Sequence, residues 1–181
     1  MGTLKTTNIQ SISGSGTVTL GTSGETFALG TGAKSSFLYP AFEAKGSAEQ
    51  TGVSDNTWTK VTMNTEIFDT NSMYDASTNY RFTPTVAGKY YVYATVRGTA
   101  AASTLDLEMT AIYLNGATYI ENQIDWRNND AQLAGICVNA IIDMNGSSDY
   151  VECYGRCLGG TTIKASPTRC TLFGAYKLIG A

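Results

Sequence analysis

Residues 88–98 read GKYYVYATVRG, and the alternation in this stretch decides the fold class. Side chains of an extended chain point to opposite faces in turn. Tyr90, Val92, Ala94 and Val96 therefore share one face, and Tyr91, Tyr93, Thr95 and Arg97 the other. The first set is wholly apolar along its shaft and is expected in the core. A helix would spread both sets around its circumference, and glycine and β-branched residues disfavour it.

The same grammar runs outward in both directions. Upstream, FLYPAFEAK (37–45) reads as a short first strand, with Pro40 where a sheet edge tolerates it, and SDNTWTKVTM (54–63) as a turn and a strand. Downstream, LDLEMTAIYLNG (105–116) sets Leu105, Leu107, Met109, Ala111 and Tyr113 against Asp106, Glu108, Thr110 and Ile112. It ends in Asn115-Gly116, a strong hairpin turn signal. Four further strands are expected in ATYIENQIDW (117–126), AQLAGICVNAIIDM (131–144), SDYVECYGRC (148–157) and CTLFGAYKLIG (170–180). Asn145-Gly146 and Gly159-Gly160 divide them. Roughly eight to ten short strands with no helical window predict an all-β sandwich or jelly roll.

Composition bounds the function. Of 181 residues, 43% are hydrophobic, enough for a real core, and only 15% are charged. The net charge of −3, with twelve Lys and Arg scattered singly, excludes a general nucleic-acid surface. The absence of histidine removes the commonest general base, imidazole metal sites and histidine pH switches together. The first twenty residues lack a basic start followed by an apolar run, and no stretch of ~18 apolar residues is available for a bilayer span, so no membrane insertion is expected.

The four cysteines are Cys137, Cys153, Cys157 and Cys170. Cys153 and Cys157 would stand ~13 Å apart on one straight strand, too far for a disulfide. Buried free thiols are the leading expectation, with one disulfide elsewhere or a metal site as alternatives.

Before residue 36 the character changes. Residues 1–35 are poor in charge and rich in Gly, Ser and Thr, with short alternating pieces at Thr17–Leu20 and Thr26–Leu29. Two parts follow: an N-terminal arm over 1–35, for attachment or trimerisation, and a head domain over 36–181. A flexible tail is the plainer reading of the arm.

The segment FDTNSMYDASTNYRFTPTVAGKYYVYATV (68–96) carries a resemblance. Asn71, Tyr74, Asp75, Phe82, Thr83, Gly88, Tyr90 and Tyr91 are similar to the motif of the complement one-q globular head and its tumour-necrosis-factor-like relatives. Ala41-Phe42 resembles that family's first strand, Ile112 to Gly116 its mid-domain hairpin, and Phe173, Gly174 and Leu178 its last strand. The resemblance covers about residues 37–181 and implies a jelly-roll sandwich that assembles as a homotrimer. Tyrosine suits such contacts, offering apolar area and a hydroxyl handle. Tyr91, Tyr93, Tyr113, Tyr154 and Tyr176 are the candidate interface residues. Without the family, Asn71 and Asp75 still suit side-chain turns, Tyr74 and Phe82 suit the rim of a core, and Gly88 admits a backbone conformation closed to other residues.

The opening TLKTTNIQ (3–10), followed by Gly-Ser repeats, resembles the beginnings of bacteriophage tail-fibre and related virion proteins. With this head, it implies a virion structural protein assembled in the host cytoplasm: a trimeric tail fibre or receptor-binding protein. Its partners would be other tail or capsid proteins and a host surface glycan or protein. A capsid decoration protein and a secreted cytokine-like or lectin-like binding protein are the alternatives.

No catalytic residue and no cofactor is expected. Glu108 with Glu121, or Asp106 with Glu152, are carboxylate pairs of the kind any β protein supplies. Trp126, Asn128, Asn129 and Asp130 make a candidate ligand loop. With Asp125 and Asp143 they offer oxygen ligands for calcium, but no EF-hand spacing exists and a solvated turn is the leading expectation. Trp58 and Trp126 are aromatic surfaces for a sugar ring or, more simply, packing residues.

Overall fold

A computed structural model describes residues 39–163 and 169–178, which are strand, turn and loop throughout. The chain divides between Phe37 and Leu38 into two units, and all described residues belong to the second. The expected arm, residues 1–35, lies outside the described residues.

The strands in chain order are β1 (Ala41–Lys45), β2 (Gln50–Thr51), β3 (Thr59–Lys60), β4 (Thr65–Asp69), β5 (Tyr74–Asp75), β6 (Arg81–Phe82) and β7 (Gly88–Thr99). They continue with β8 (Leu107–Leu114), β9 (Ala117–Asp125), β10 (Leu133–Met144), β11 (Val151–Leu158), β12 (Thr162–Ile163) and β13 (Leu172–Lys177). Each long segment expected from the sequence forms its strand. The two- to five-residue strands β2, β4, β5, β6 and β12 are additional.

Two antiparallel sheets face each other in a jelly roll. The front sheet runs β2-β12-β7-β13-β1-β4, with β10 on the other side of β7. The back sheet runs β5-β6-β11-β8-β9, with β3 also on β11. Asn115 and Gly116, at φ +53° and +80°, close the tight hairpin between β8 and β9, as their sequence demands.

The core is aromatic. Tyr90, Val92, Ala94 and Val96 are all buried, so the alternation in 88–98 is read correctly. Phe42 stacks on Tyr74 and on Phe82, each at 4.6 Å, and meets Phe173 edge-on at 5.1 Å. Phe82 in turn meets Tyr90 at 5.7 Å. Large side chains buried this completely contribute about 1.5–3 kcal/mol each. The two buried hydroxyls have acceptors: Tyr74 donates to the Met63 carbonyl at 2.9 Å and Tyr90 to that of Val86 at 2.6 Å.

Strand β8 is buried on both faces, which its sequence did not announce. Glu108, Thr110 and Ile112 point into the sandwich, and the Thr110 hydroxyl crosses to the Ile136 carbonyl of the front sheet at 3.1 Å. Met109 and Ala111 point outward yet are also covered. The Tyr113–Tyr154 stack and Trp58, edge-on to Tyr113, form an aromatic layer on that outer face.

Candidate functional site

The motif residues are structural. Tyr74, Phe82, Tyr90 and Phe173 gather around Phe42. Asp75 holds a turn: one carboxylate oxygen accepts from the Ser77 and Thr78 amides, each at 2.9 Å, and the other from Asn79. The Thr78 and Ser77 amides, in that order, hold its carboxyl well below the usual range. Asn71 accepts the Thr70 hydroxyl at 2.8 Å. The loop bond expected of Asn71 belongs mainly to Asp69, which takes the Asn71 and Tyr74 amides. Asp69 escaped the sequence reading because it closes a strand instead of opening a turn cluster. Gly88 sits at φ +142°, a region closed to other residues, as expected.

The five candidate tyrosines divide between two opposite surfaces. Tyr91, Tyr93 and Tyr176 stand together on the outer face of the front sheet, with Tyr91 at 5.4 Å from Tyr176 and 6.1 Å from Tyr93. Tyr113 and Tyr154 stack at 3.9 Å on the outer face of the back sheet. The reason is topological: β7 and β13 belong to one sheet, β8 and β11 to the other. One flat contact surface cannot use all five.

The front face is the better-formed surface. Pairing registers run Phe68–Glu43–Gly174–Tyr93–Asn139 in one row and Ala41–Tyr176–Tyr91–Ile141 in the next. Tyr93 donates to Glu43 at 2.7 Å, and Arg169 reaches the other oxygen of that carboxylate at 3.3 Å. Burial, and then the Glu43 contact, raise the Tyr93 hydroxyl well above its ordinary value. Around this polar centre, Phe68, Ile141 and Tyr176 are 46%, 56% and 45% exposed.

A second apolar surface adjoins it at the open edge. Among the described residues, β9 and β10 end their sheets, each with one strand side unpaired. Side chains bridge the edge: Asn122 donates to the Cys137 carbonyl at 2.9 Å and Tyr119 to that of Ile141 at 3.4 Å. Tyr119, Ile124 and Leu133 are exposed there. Natural proteins seldom leave long apolar edges open to solvent.

The 126–130 loop follows β9. Trp126 is half-buried against a small cluster of Ala100, Leu105, Ala134 and Cys157, while Arg127, Asn128, Asn129 and Asp130 are exposed. Its acids are engaged separately. Asp125 pairs with Arg127, which holds its carboxyl down at about 2, and Asp130 faces Asp106. Asp143 pairs with Lys89 at 2.9 Å, at the far end of β10. Among the described residues, no group of three or more Cys, Asp or Glu is arranged to hold a metal ion.

The weighed carboxylate pairs are not pairs. Glu108 is buried between the sheets, whereas Glu121 is exposed on β9. Asp106 and Glu152 lie at opposite ends of β11, and Glu152 is held by Lys60 at 2.5 Å. Cys153, Cys157 and Cys170 are buried, as expected, but Cys137 is exposed on the front face.

No family model matches the sequence, and no curated protein matches it. Solved structures do. Murine APRIL superposes with a TM-score of 0.58 at 12% identity, over 77% of this chain and 99% of that one. The Eiger TNF of S. frugiperda gives 0.59 at 12% identity, over 80% and 94%. The globular domain of zebrafish complement 1qA gives 0.54 at 14% identity, over 77% and 97%. At such identities the likeness establishes architecture, and the described domain has the jelly-roll fold of tumour-necrosis-factor-like proteins and the complement one-q head.

Proposed function

We propose that this chain is a non-catalytic, homotrimeric binding head of a bacteriophage virion, a tail fibre or receptor-binding protein that attaches to a host surface glycan or protein. One observation carries the assembly: two dissimilar apolar surfaces, the Tyr91–Tyr176–Ile141 face and the Tyr119–Ile124–Leu133 edge, lie exposed on the same domain. A face that meets a different surface on the next copy is a heterologous contact, and such contacts close into rings where the rotation between copies returns to the start. Likeness to APRIL and complement 1qA supports a ring of three. The virion assignment rests on the N-terminal resemblance alone. Three copies would supply avidity in place of tight single-site binding.

The test is the solution mass of the full chain by light scattering, beside that of a version lacking residues 1–35. Trimers in both support assembly through the head. A monomer from the shortened version makes the arm the assembling element, and monomers in both sink the reading. Adsorption to host cells or isolated surface polysaccharide then separates a receptor-binding protein from a capsid decoration protein, which would bind empty capsids instead. A second reading, a secreted cytokine-like or lectin-like binding protein, is favoured by the likeness to APRIL and Eiger TNF. Binding to a cell-surface receptor of animal origin would support it.

A further inference from the structure

We propose that Glu108 and Cys157 form a protonation-operated latch beneath the 126–130 loop, closed while the carboxyl is neutral and released as it ionises. Glu108 is completely buried on the core face of β8. Its Oε2 accepts the Cys157 thiol at 2.9 Å, and its Oε1 is buried with no hydrogen-bond partner among the described residues. The front sheet closes directly on the pair at Gly98. A β-carbon there would stand 2.0 Å from Oε2 and 2.5 Å from the Cys157 sulfur, so only glycine lets the strands approach this far.

The loop packs against the Cys157 side of this pair. Cys157 belongs to the cluster of Ala100, Leu105 and Ala134 against which Trp126 and Ala131 pack. A neutral carboxyl in that setting leaves only Oε1, as hydroxyl or carbonyl, without a partner. An ionised one is a buried charge with no cation against it, which is far more costly. The groups facing Glu108 are the Cys157 thiol from β11 and the Gly98 amide from β7. On its own strand, Thr110 spends its hydroxyl on Ile136. The nearby charges belong to the outer loops: Asp55, which accepts the Gly159 amide, the Asp125–Arg127 pair, and Asp106 with Asp130. Burial pushes the Glu108 carboxyl up to about 8, opposed by the thiol and the Gly98 amide. Burial and the Glu108 contact in turn raise the thiol.

Opening the latch exposes Glu108 to water, where it ionises near its ordinary value. The open fraction therefore rises about tenfold per pH unit until the closed-state value near 8 is passed, and then levels. The Asp106 carboxyl, raised by burial and by facing Asp130, lies at this end too, and Glu108→Gln leaves it in place.

The test is hydrogen exchange of the 126–131 amides in the full chain between pH 6 and 10, corrected for intrinsic rate. Trp126 emission in a Trp58→Phe background gives an independent readout. The expected result is protection falling about tenfold per unit to near pH 8 and level above it. Glu108→Gln should flatten the profile. Cys157→Ala removes a donor that favours the charged form, and should move the levelling point to higher pH. A flat wild-type profile, the same profile in Glu108→Gln, or no upward displacement in Cys157→Ala overturns the latch. The last arm decides the matter even if Glu108→Gln does not fold.

Discussion

The Tyr93 ring fills the space that a side chain at Gly174 would need: a β-carbon there would stand 2.4 Å from both Cζ and the hydroxyl oxygen. The two residues are directly paired across β7 and β13. The glycine thus sets the height of the tyrosine above the sheet, and with it the reach of the hydroxyl to Glu43.

Gly174→Ala should therefore expel the Tyr93 ring and break the Glu43 bond together. Overpacking of this kind costs about 1–3 kcal/mol. Tyr93→Phe, which keeps the ring and loses only the hydrogen bond, should cost about 1 kcal/mol. Urea denaturation of both variants checks the order. Equal losses would mean that the ring had moved aside at no cost.

Glu108 makes stability itself depend on pH. Its folded value lies near 8, above the ordinary value of 4.5, so the unfolded chain loses this proton first as pH rises. The stabilisation is fully present below about pH 4.5, declines up to about pH 8 and is gone above it, a total on the order of a few kcal/mol. Glu108→Gln should remove this slope, and denaturation midpoints at pH 5, 7 and 9 measure it. A wild-type protein equally stable at pH 5 and 9 would contradict it.

How far the sequence disclosed all this depends on burial geometry. Strands β7 and β10 alternate cleanly because one face meets the core and the other is open, so their period of two is visible in the letters. In β8 the apolar row of Leu107, Met109, Ala111 and Tyr113 looks like the core face and is the outer one. Trp58 and Tyr154 cover it, and the core face carries Glu108. Periodicity reports contrast between faces, and β8 has none. The tyrosines fall on two different sheets for a related reason: alternation gives each residue a face but does not say which sheet the strand joins. The trimming strands β2, β5, β6 and β12, at two residues each, are too short to have a period.

Asp75 gives an acid-side prediction. Its carboxyl is held below its ordinary value of 3.8 by the turn amides, so its contribution is present above about pH 4 and fades as pH falls further. Asp75→Ala should cost about 1 kcal/mol at neutral pH, the usual loss of a side-chain cap. The difference between wild type and variant should shrink toward pH 2. Parallel thermal melts at pH 7 and pH 2.5 read it, and an undiminished gap at low pH would show that packing, not the charge, is lost.

Ile141 and Cys137 together test the front face. Both lie on the outer side of β10, and Ile141 is 56% exposed, so Ile141→Asp removes no core packing from an isolated domain. It should leave the circular dichroism unchanged and lower the solution mass from trimer to monomer, because an unpaired carboxylate would have to be buried at the contact. Cys137 reports the same event chemically. Of the four cysteines, Cys153, Cys157 and Cys170 are buried, and burial raises the thiols of the first two well above the ordinary value. One fast-reacting thiol is therefore expected in the Ile141→Asp monomer, lost in a Cys137→Ser background. In the wild-type assembly that thiol should react slowly, and faster on dilution. A wild-type Cys137 that reacts at the same rate at every concentration would show that this face stays open, and the contact between copies would have to be sought on the β9–β10 edge or on the back sheet.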